Sequence, residues 1–266
     1  MYAQWEVDIA KLVDKITKLS GLETVVLEGE YTQAELSSIA DAIKNNSNAQ
    51  ISLDCSNITV ENNIFPNLFG GVQNLVSITF PDTITEIAGY GFKGSGVTGT
   101  VVIPASVTTI GQSAFMCSNV TDVEFASGSQ LTTIGQNAFN ECPSLSSIDI
   151  PATVTDIGGF AFYRCPSLIS VTIRNTGTMT LGTQIFRESQ ALTTVYYYPT
   201  NIGQEMFYQC TGLQDFQVYS QTPPTIGSSA FSSSIKSAVT VTVPAGSQSA
   251  FSSASGWSGF SNIVER

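Results

Sequence analysis

The stretch Leu145-Ser-Ser-Ile148-Asp-Ile150-Pro151-Ala-Thr-Val154-Thr-Asp-Ile157-Gly158-Gly-Phe-Ala161-Phe162-Tyr-Arg-Cys165 decides the fold, because its landmarks return along most of the chain. Seven times a branched apolar residue stands five positions ahead of a phenylalanine: Ile87 with Phe92, Ile110 with Phe115, Ile134 with Phe139, Ile157 with Phe162, Leu181 with Phe186, Ile202 with Phe207, and Ile226 with Phe231. These phenylalanines recur every 21 to 24 residues. A fixed period of that length means one supersecondary unit copied along an axis, so the predicted fold is a solenoid whose function lies on a long repetitive surface.

Within the unit, Leu145, Ile148 and Ile150 follow an L-x-x-L-x-L strand pattern. Successive side chains of a strand alternate faces, so Ile148 and Ile150 point inward and Ser147 and Asp149 point out. Pro151 has no N–H for a ladder and ends the strand. Val154 and Ile157 begin the return path, Gly158 is expected to supply a tight bend, and Ala161 and Phe162 plug the convex side. Stacked coils then build a continuous aromatic spine.

Copies begin near Leu75, Thr98, Val120, Leu145, Leu168, Leu192 and Leu213, with a degenerate earlier one marked by Ile51, Leu53, Ile64 and Phe69. That makes about eight coils, roughly 40 Å of solenoid at one strand spacing each. Pro199 and Pro223 take the slot of Val154, which predicts a looser convex wall toward the C-terminus. Trp5, Ile9, Leu12, Val13, Ile16 and Leu19 follow helical spacing. Thr32-Gln-Ala-Glu35 is a capping box that opens a second helix bearing Leu36, Ile39 and Ile43. Between these helices Leu22 to Leu27 reads as a strand pairing with the first coil. Phe251, Trp257 and Phe260 are expected to fold over the last coil. The organisation expected is a helical cap at 1–50, repeats at 51–234 and a capping segment at 235–266, all in one cooperative domain.

Of the 266 residues 42% are hydrophobic and 12% charged, as in an ordered globular chain. The net charge of -11 argues against nucleic acid and anionic membrane surfaces as partners. With no histidine, triads and dyads that rest on an imidazole base are excluded. No apolar run approaches a spanning helix, and Met1 opens onto Tyr2 to Ser20 without a signal-peptide pattern, which fits an intracellular protein or one whose signal has been removed. Cys55, Cys117, Cys142, Cys165 and Cys210 lack zinc-site spacing, and no cofactor or metal is called for. Four of them follow a repeat phenylalanine by two or three residues, which marks a structural slot for buried free thiols. Coils stacked about 4.8 Å apart also bring equivalent cysteines near disulfide reach.

The unit at Leu145 to Cys165, repeated with shifts at Thr98 to Cys117 and Val120 to Cys142, resembles the BspA-like class of bacterial leucine-rich repeats. Val243-Pro-Ala-Gly-Ser247 with Ser255-Gly-Trp257 is similar to terminal segments of surface members from gut and oral anaerobes. The likeness spans Ile51 to Arg266. It implies an α/β solenoid, a leucine-rich repeat right-handed superhelix with a parallel sheet on the concave face. It further implies a cell-surface or secreted location, and non-enzymatic adhesion to extracellular proteins, glycans or other cells, with no ligand motif to carry over.

The residues left free by the repeat are the outward strand positions, one row per coil. Most are small and polar. Two sets depart from this: acidic Asp122, Glu124 and Asp149, and aromatic Tyr196, Tyr198 and Tyr219 with Asp215 and Gln217 beside them. Tyrosines give large contact area at low entropy cost, so the second set is the favoured ligand-binding candidate, against the alternative of plain sheet surface. The carboxylates could take calcium or act as paired acids on a glycan, or simply be a solvated face. Two other functional classes fit the pattern: a polysaccharide-acting β-solenoid enzyme, and a structural spacer or assembly module. Against the enzyme, the acidic residues are not expected to meet Arg or Lys on neighbouring coils.

Overall fold

The computed structural model describes residues 8–65 and 67–266. Trp5 lies outside the described residues. Helix α1 (Ile9–Thr17), strand β1 (Gly21–Tyr31), helix α2 (Gln33–Asn45) and strand β2 (Ala49–Val60) precede the regular coils. One main strand then falls in each turn of the chain: β3 (Leu75–Thr79), β4 (Thr98–Ile103), β5 (Asn119–Phe125), β6 (Ser147–Ile150), β7 (Ser170–Ile173), β8 (Thr194–Tyr197), β9 (Asp215–Val218), β10 (Thr240–Val243) and β11 (Asn262–Glu265). All of them pair in parallel, in the groups β1-β2-β3, β4-β5 and β6 through β11.

The period-2 reading of the strands holds. Ile148 and Ile150 of β6 are buried while Asp149 is exposed, and β7 to β10 repeat the alternation. A second ladder of two-residue strands, such as Thr133–Ile134, Asp156–Ile157 and Thr180–Leu181, carries the isoleucine landmarks on the return path. Beyond it Phe92, Phe115, Phe139, Phe162, Phe186 and Phe207 stack near parallel, with centroids 5.2, 5.3, 5.3, 5.2 and 5.5 Å apart in turn.

The convex turns hold the stack by pointing their amides along the axis. In one coil the N–H groups of Asn137, Phe139 and Glu141 donate to the carbonyls of Gly159, Ala161 and Tyr163 in the next. Asn137 and Glu141 reach that orientation with left-handed backbones, φ 57° and 55°. The same two positions are left-handed in neighbouring coils, as at Phe160 and Arg164. Gly158 is therefore not the bend the sequence suggests. A Cβ there would lie 2.3 Å from the backbone nitrogen of Gln136, so glycine is required by the close approach of the preceding coil.

Cysteine and serine share one buried slot three residues after the phenylalanine. Cys142, Cys165, Ser189 and Cys210 donate to the carbonyls of Phe115, Phe139, Phe162 and Phe186, at 3.1, 3.2, 3.1 and 3.1 Å. All five cysteines are free thiols, and Cys117 departs from the expected buried ladder because it is exposed. It sits one residue early, at φ 58°, and Ser118 fills the slot instead.

At the N-terminal end Ile16 of α1 and Leu36, Ile39 and Ile43 of α2 are buried. The capping box forms as read, with Thr32 N–H donating to Glu35 Oε2 at 2.8 Å and Glu35 N–H to Thr32 Oγ1 at 3.3 Å. Asn46 and Asn74 satisfy helix-end carbonyls: Asn46 Nδ2 donates to Ile16 O at 2.7 Å, and Asn74 Nδ2 to Asn46 O at 2.7 Å. The strand between the helices runs longer than its apolar core suggests, because β1 pairs with β2 from Gly21 through Tyr31. At the other end Phe251, Trp257 and Phe260 are buried, with Trp257 Nε1 donating to Pro224 O at 2.7 Å. Two short helices, α3 (Ser233–Ala238) and α4 (Gln248–Ser253), and strand β11 lie in this segment without a repeat signature. Pro199, in the slot expected to loosen, is buried.

Candidate binding face

The outward rows of β5 to β11 carry the residues singled out from sequence, and the structure divides them into two places. Asp122 and Glu124 stand on β5 and Asp149 on β6. Asp122 Oδ1 accepts from Ser146 Oγ at 3.0 Å, which ties it to the coil loop. Glu124 and Asp149 line an open groove of about 600 Å³ together with Phe125, Pro151 and Ala152. Asp149 is held by Arg174 in a parallel fork, Nε to Oδ1 and Nη2 to Oδ2 both 2.6 Å. This corrects the expectation that no acidic residue meets a base on a neighbouring coil: Arg174 follows β7 directly and reaches across one strand. Both side chains are about half exposed, 51% and 55%, so the pair orients the surface more than it stabilises it.

The second place lies two strands on. Tyr198 and Tyr219 stack face to face, centroids 4.1 Å apart and rings 7° from parallel. The guanidinium carbon of Arg266 lies 3.9 Å from the Tyr219 centroid, and its Nη2 donates to Val218 O at 2.6 Å. Tyr219 OH donates to Gln217 Oε1 at 3.3 Å, and Gln217 Nε2 donates to Asp215 Oδ2 at 2.6 Å. Asp215 Oδ1 also accepts from Thr242 Oγ1 at 3.5 Å. Burial, followed by the adjacent Tyr219 phenol, raises the pKa of Tyr198 and keeps it a neutral hydroxyl. Tyr196 is paired in register with Gln217 but stands apart from the stack, half-buried on the sheet face.

Tyr198, Tyr219, Gln217 and Asp215 are thus brought into one bonded cluster, while Asp122 and Glu124 remain separate from it. Arg174 and Arg266 were missed by sequence reasoning. Both occupy the position that Pro151 and Pro244 hold at the end of a strand, so aligning strand ends would have found Arg174. Arg266 had no such signal, because β11 lacks the repeat pattern. Its place is set by pairing, Val243 opposite Glu265.

The convex face carries its own charge row. Arg164 Nε meets Glu188 Oε2 at 2.7 Å, Arg187 Nε meets Glu188 Oε1 at 3.2 Å, and Arg187 also reaches Glu205. Among the described residues no three acidic or cysteine side chains converge as a metal site would need, and no helix is long and apolar enough to cross a membrane.

Residues 37–158 and 132–256 match a family profile described as BspA type leucine rich repeat region, in 6 copies. Among solved structures the chain is similar to a leucine-rich repeat protein of T. pallidum, 27% identical over 62% of this chain and 72% of that one, TM-score 0.46. It is also similar to a leucine-rich repeat protein from Bacteroides ovatus, 18% identical over 82% and 77%, TM-score 0.33. The pneumococcal vaccine antigen PcpA is 14% identical over 82% and 79%, TM-score 0.40. No curated protein matches the chain.

Proposed function

We propose that this chain, which belongs to the BspA type leucine-rich repeat family, is a non-enzymatic recognition protein acting at a cell surface or after secretion. Its ligand is an extracellular protein or glycan, met by the outward face of β8 to β11. The observation that carries this reading is the cluster of Tyr198, Tyr219, Gln217, Asp215 and Arg266. Each member is held by a neighbour before any ligand arrives, by stacking or by a hydrogen bond. Prior fixation lowers the entropy lost on binding, and Tyr and Arg are the side chains enriched where binding energy concentrates. In the acidic set, Asp149 is committed to Arg174 and Asp122 to Ser146 of the next coil, which speaks against paired acids there.

The test is saturable binding of the purified chain to immobilised extracellular matrix proteins and mucosal glycans. Changing Tyr196, Tyr198 and Tyr219 together to serine is expected to weaken binding at least about tenfold, as for a loss of hot-spot side chains. Unchanged affinity in the triple variant would remove the site from this face.

A further inference from the structure

Resting on the reading of this face as a binding surface, we infer that its ligand is the acidic end of a glycan, with Arg266 taking the oxyanion and Tyr196 the sugar ring. Arg164, Arg174 and Arg187 each hold a carboxylate, and Arg266 is the one arginine without such a partner among the described residues. Its orientation is nonetheless fixed, by the face of Tyr219 on one side and the carbonyl of Val218 at one nitrogen. The remaining N–H groups of a guanidinium form a planar fork suited to a carboxylate or sulfate. In a chain of net charge -11, a positioned cation on the outward face that no acidic side chain pairs with among the described residues favours an anion.

A sugar is favoured over an acidic peptide by what surrounds that cation. Tyr219 has Tyr198 on one face and the Arg266 guanidinium on the other, so it offers its edge rather than an open plate. Tyr196 has no aromatic ring packed on it among the described residues, and it lies on the strand beside Gln217. An unstacked ring on a sheet face is an apolar plate on which the C–H face of a pyranose can rest. In register beside Tyr196 stands Gln217, whose amide is hydrogen bonded to Asp215 two residues earlier on the strand, so a fixed carboxylate oxygen and an amide lie beside each other. That pair of acceptor and donor matches adjacent sugar hydroxyls. One strand spacing and two residues of rise separate Tyr196 from Tyr219 by roughly 8 Å, the span of a mono- or disaccharide.

The experiment is a titration followed by NMR or calorimetry with sialyllactose, sulfated lactose and neutral lactose, alongside an acidic hexapeptide. Wild type is expected to bind at least one of the two acidic sugars about tenfold more tightly than lactose, the worth of one charge-assisted contact. Arg266→Gln should abolish that preference, so that acidic and neutral sugars bind alike, and Tyr196→Ser should weaken all sugars while keeping the preference. Arg266→Lys should restore part of the preference, which separates charge from folding. Preference for sialyl over sulfated lactose assigns a carboxylate, and the reverse a sulfate. Equal binding of acidic and neutral sugars, or an acidic preference that survives Arg266→Gln, overturns the inference. If no sugar binds but the peptide or a matrix protein does, and the triple tyrosine variant loses it, the glycan is wrong and the binding face stands.

Discussion

At the scale of single residues, the repeat imposes identities for reasons that differ from slot to slot. Gly158 is glycine because the previous coil leaves no room for a Cβ. Phe160, three residues past the isoleucine landmark, keeps its side chain despite a left-handed backbone, φ 61°. Cysteine and serine interchange in the buried slot because either can donate to the phenylalanine carbonyl one coil back. The thiols there are shielded from water, and burial raises Cys142 and Cys210 to about 12. A thiol whose folded pKa is raised contributes its full stability below the unfolded value near 8.5, and loses it as pH climbs toward the folded value. Stability measured by urea unfolding should therefore fall between about pH 9 and pH 12. The double variant Cys142→Ser, Cys210→Ser keeps the hydrogen bonds, as Ser189 does, and should flatten that decline. An identical alkaline slope in both proteins would show that other groups set it.

At the scale of the coil, three ladders do different work. The main strands give parallel pairing, the two-residue strands bury the isoleucines, and the convex turns send three amides to the next coil. The phenylalanine spine ties these together, and Phe162 stacks between Phe139 at 5.3 Å and Phe186 at 5.2 Å. Phe162→Ala leaves a cavity that two rigid backbones cannot collapse, and it should cost roughly 3 to 5 kcal/mol. Denaturant titration of the variant checks this, and a loss under about 1 kcal/mol would mean the spine is not packed as described. Strand ends matter for a different reason. The proline slot terminates pairing in β6 and β10, but in β7, β8 and β9 it is filled by Arg174, Tyr198 and Tyr219. Those substitutions, visible once strand ends are aligned, place the unusual side chains on one outward row.

At the scale of the molecule, both ends of the sheet are built from segments outside the period. Residues 235–266 add β10 and β11 and bury Phe251, Trp257 and Phe260 beside Phe216 and Phe231. Removing 235–266 should expose an unpaired strand edge and an aromatic cluster, and so shift the chain toward aggregates on size exclusion relative to the full chain. A truncated chain that stays monodisperse with unchanged unfolding temperature would show that the segment is not a cap. The solenoid, its inward and outward residues and the aromatic spine were legible in sequence, since period and alternation are local properties copied many times. The tyrosine row was legible for the same reason, as an exception to a pattern. Tertiary structure alone decided that Arg174 neutralises Asp149, that Tyr198 and Tyr219 cover each other, and that Arg266 closes on Tyr219. Each of those contacts joins residues 21 or more positions apart, or 47 for Arg266 and Tyr219. Their meeting depends on coil spacing and side-chain reach, neither of which a one-dimensional period contains.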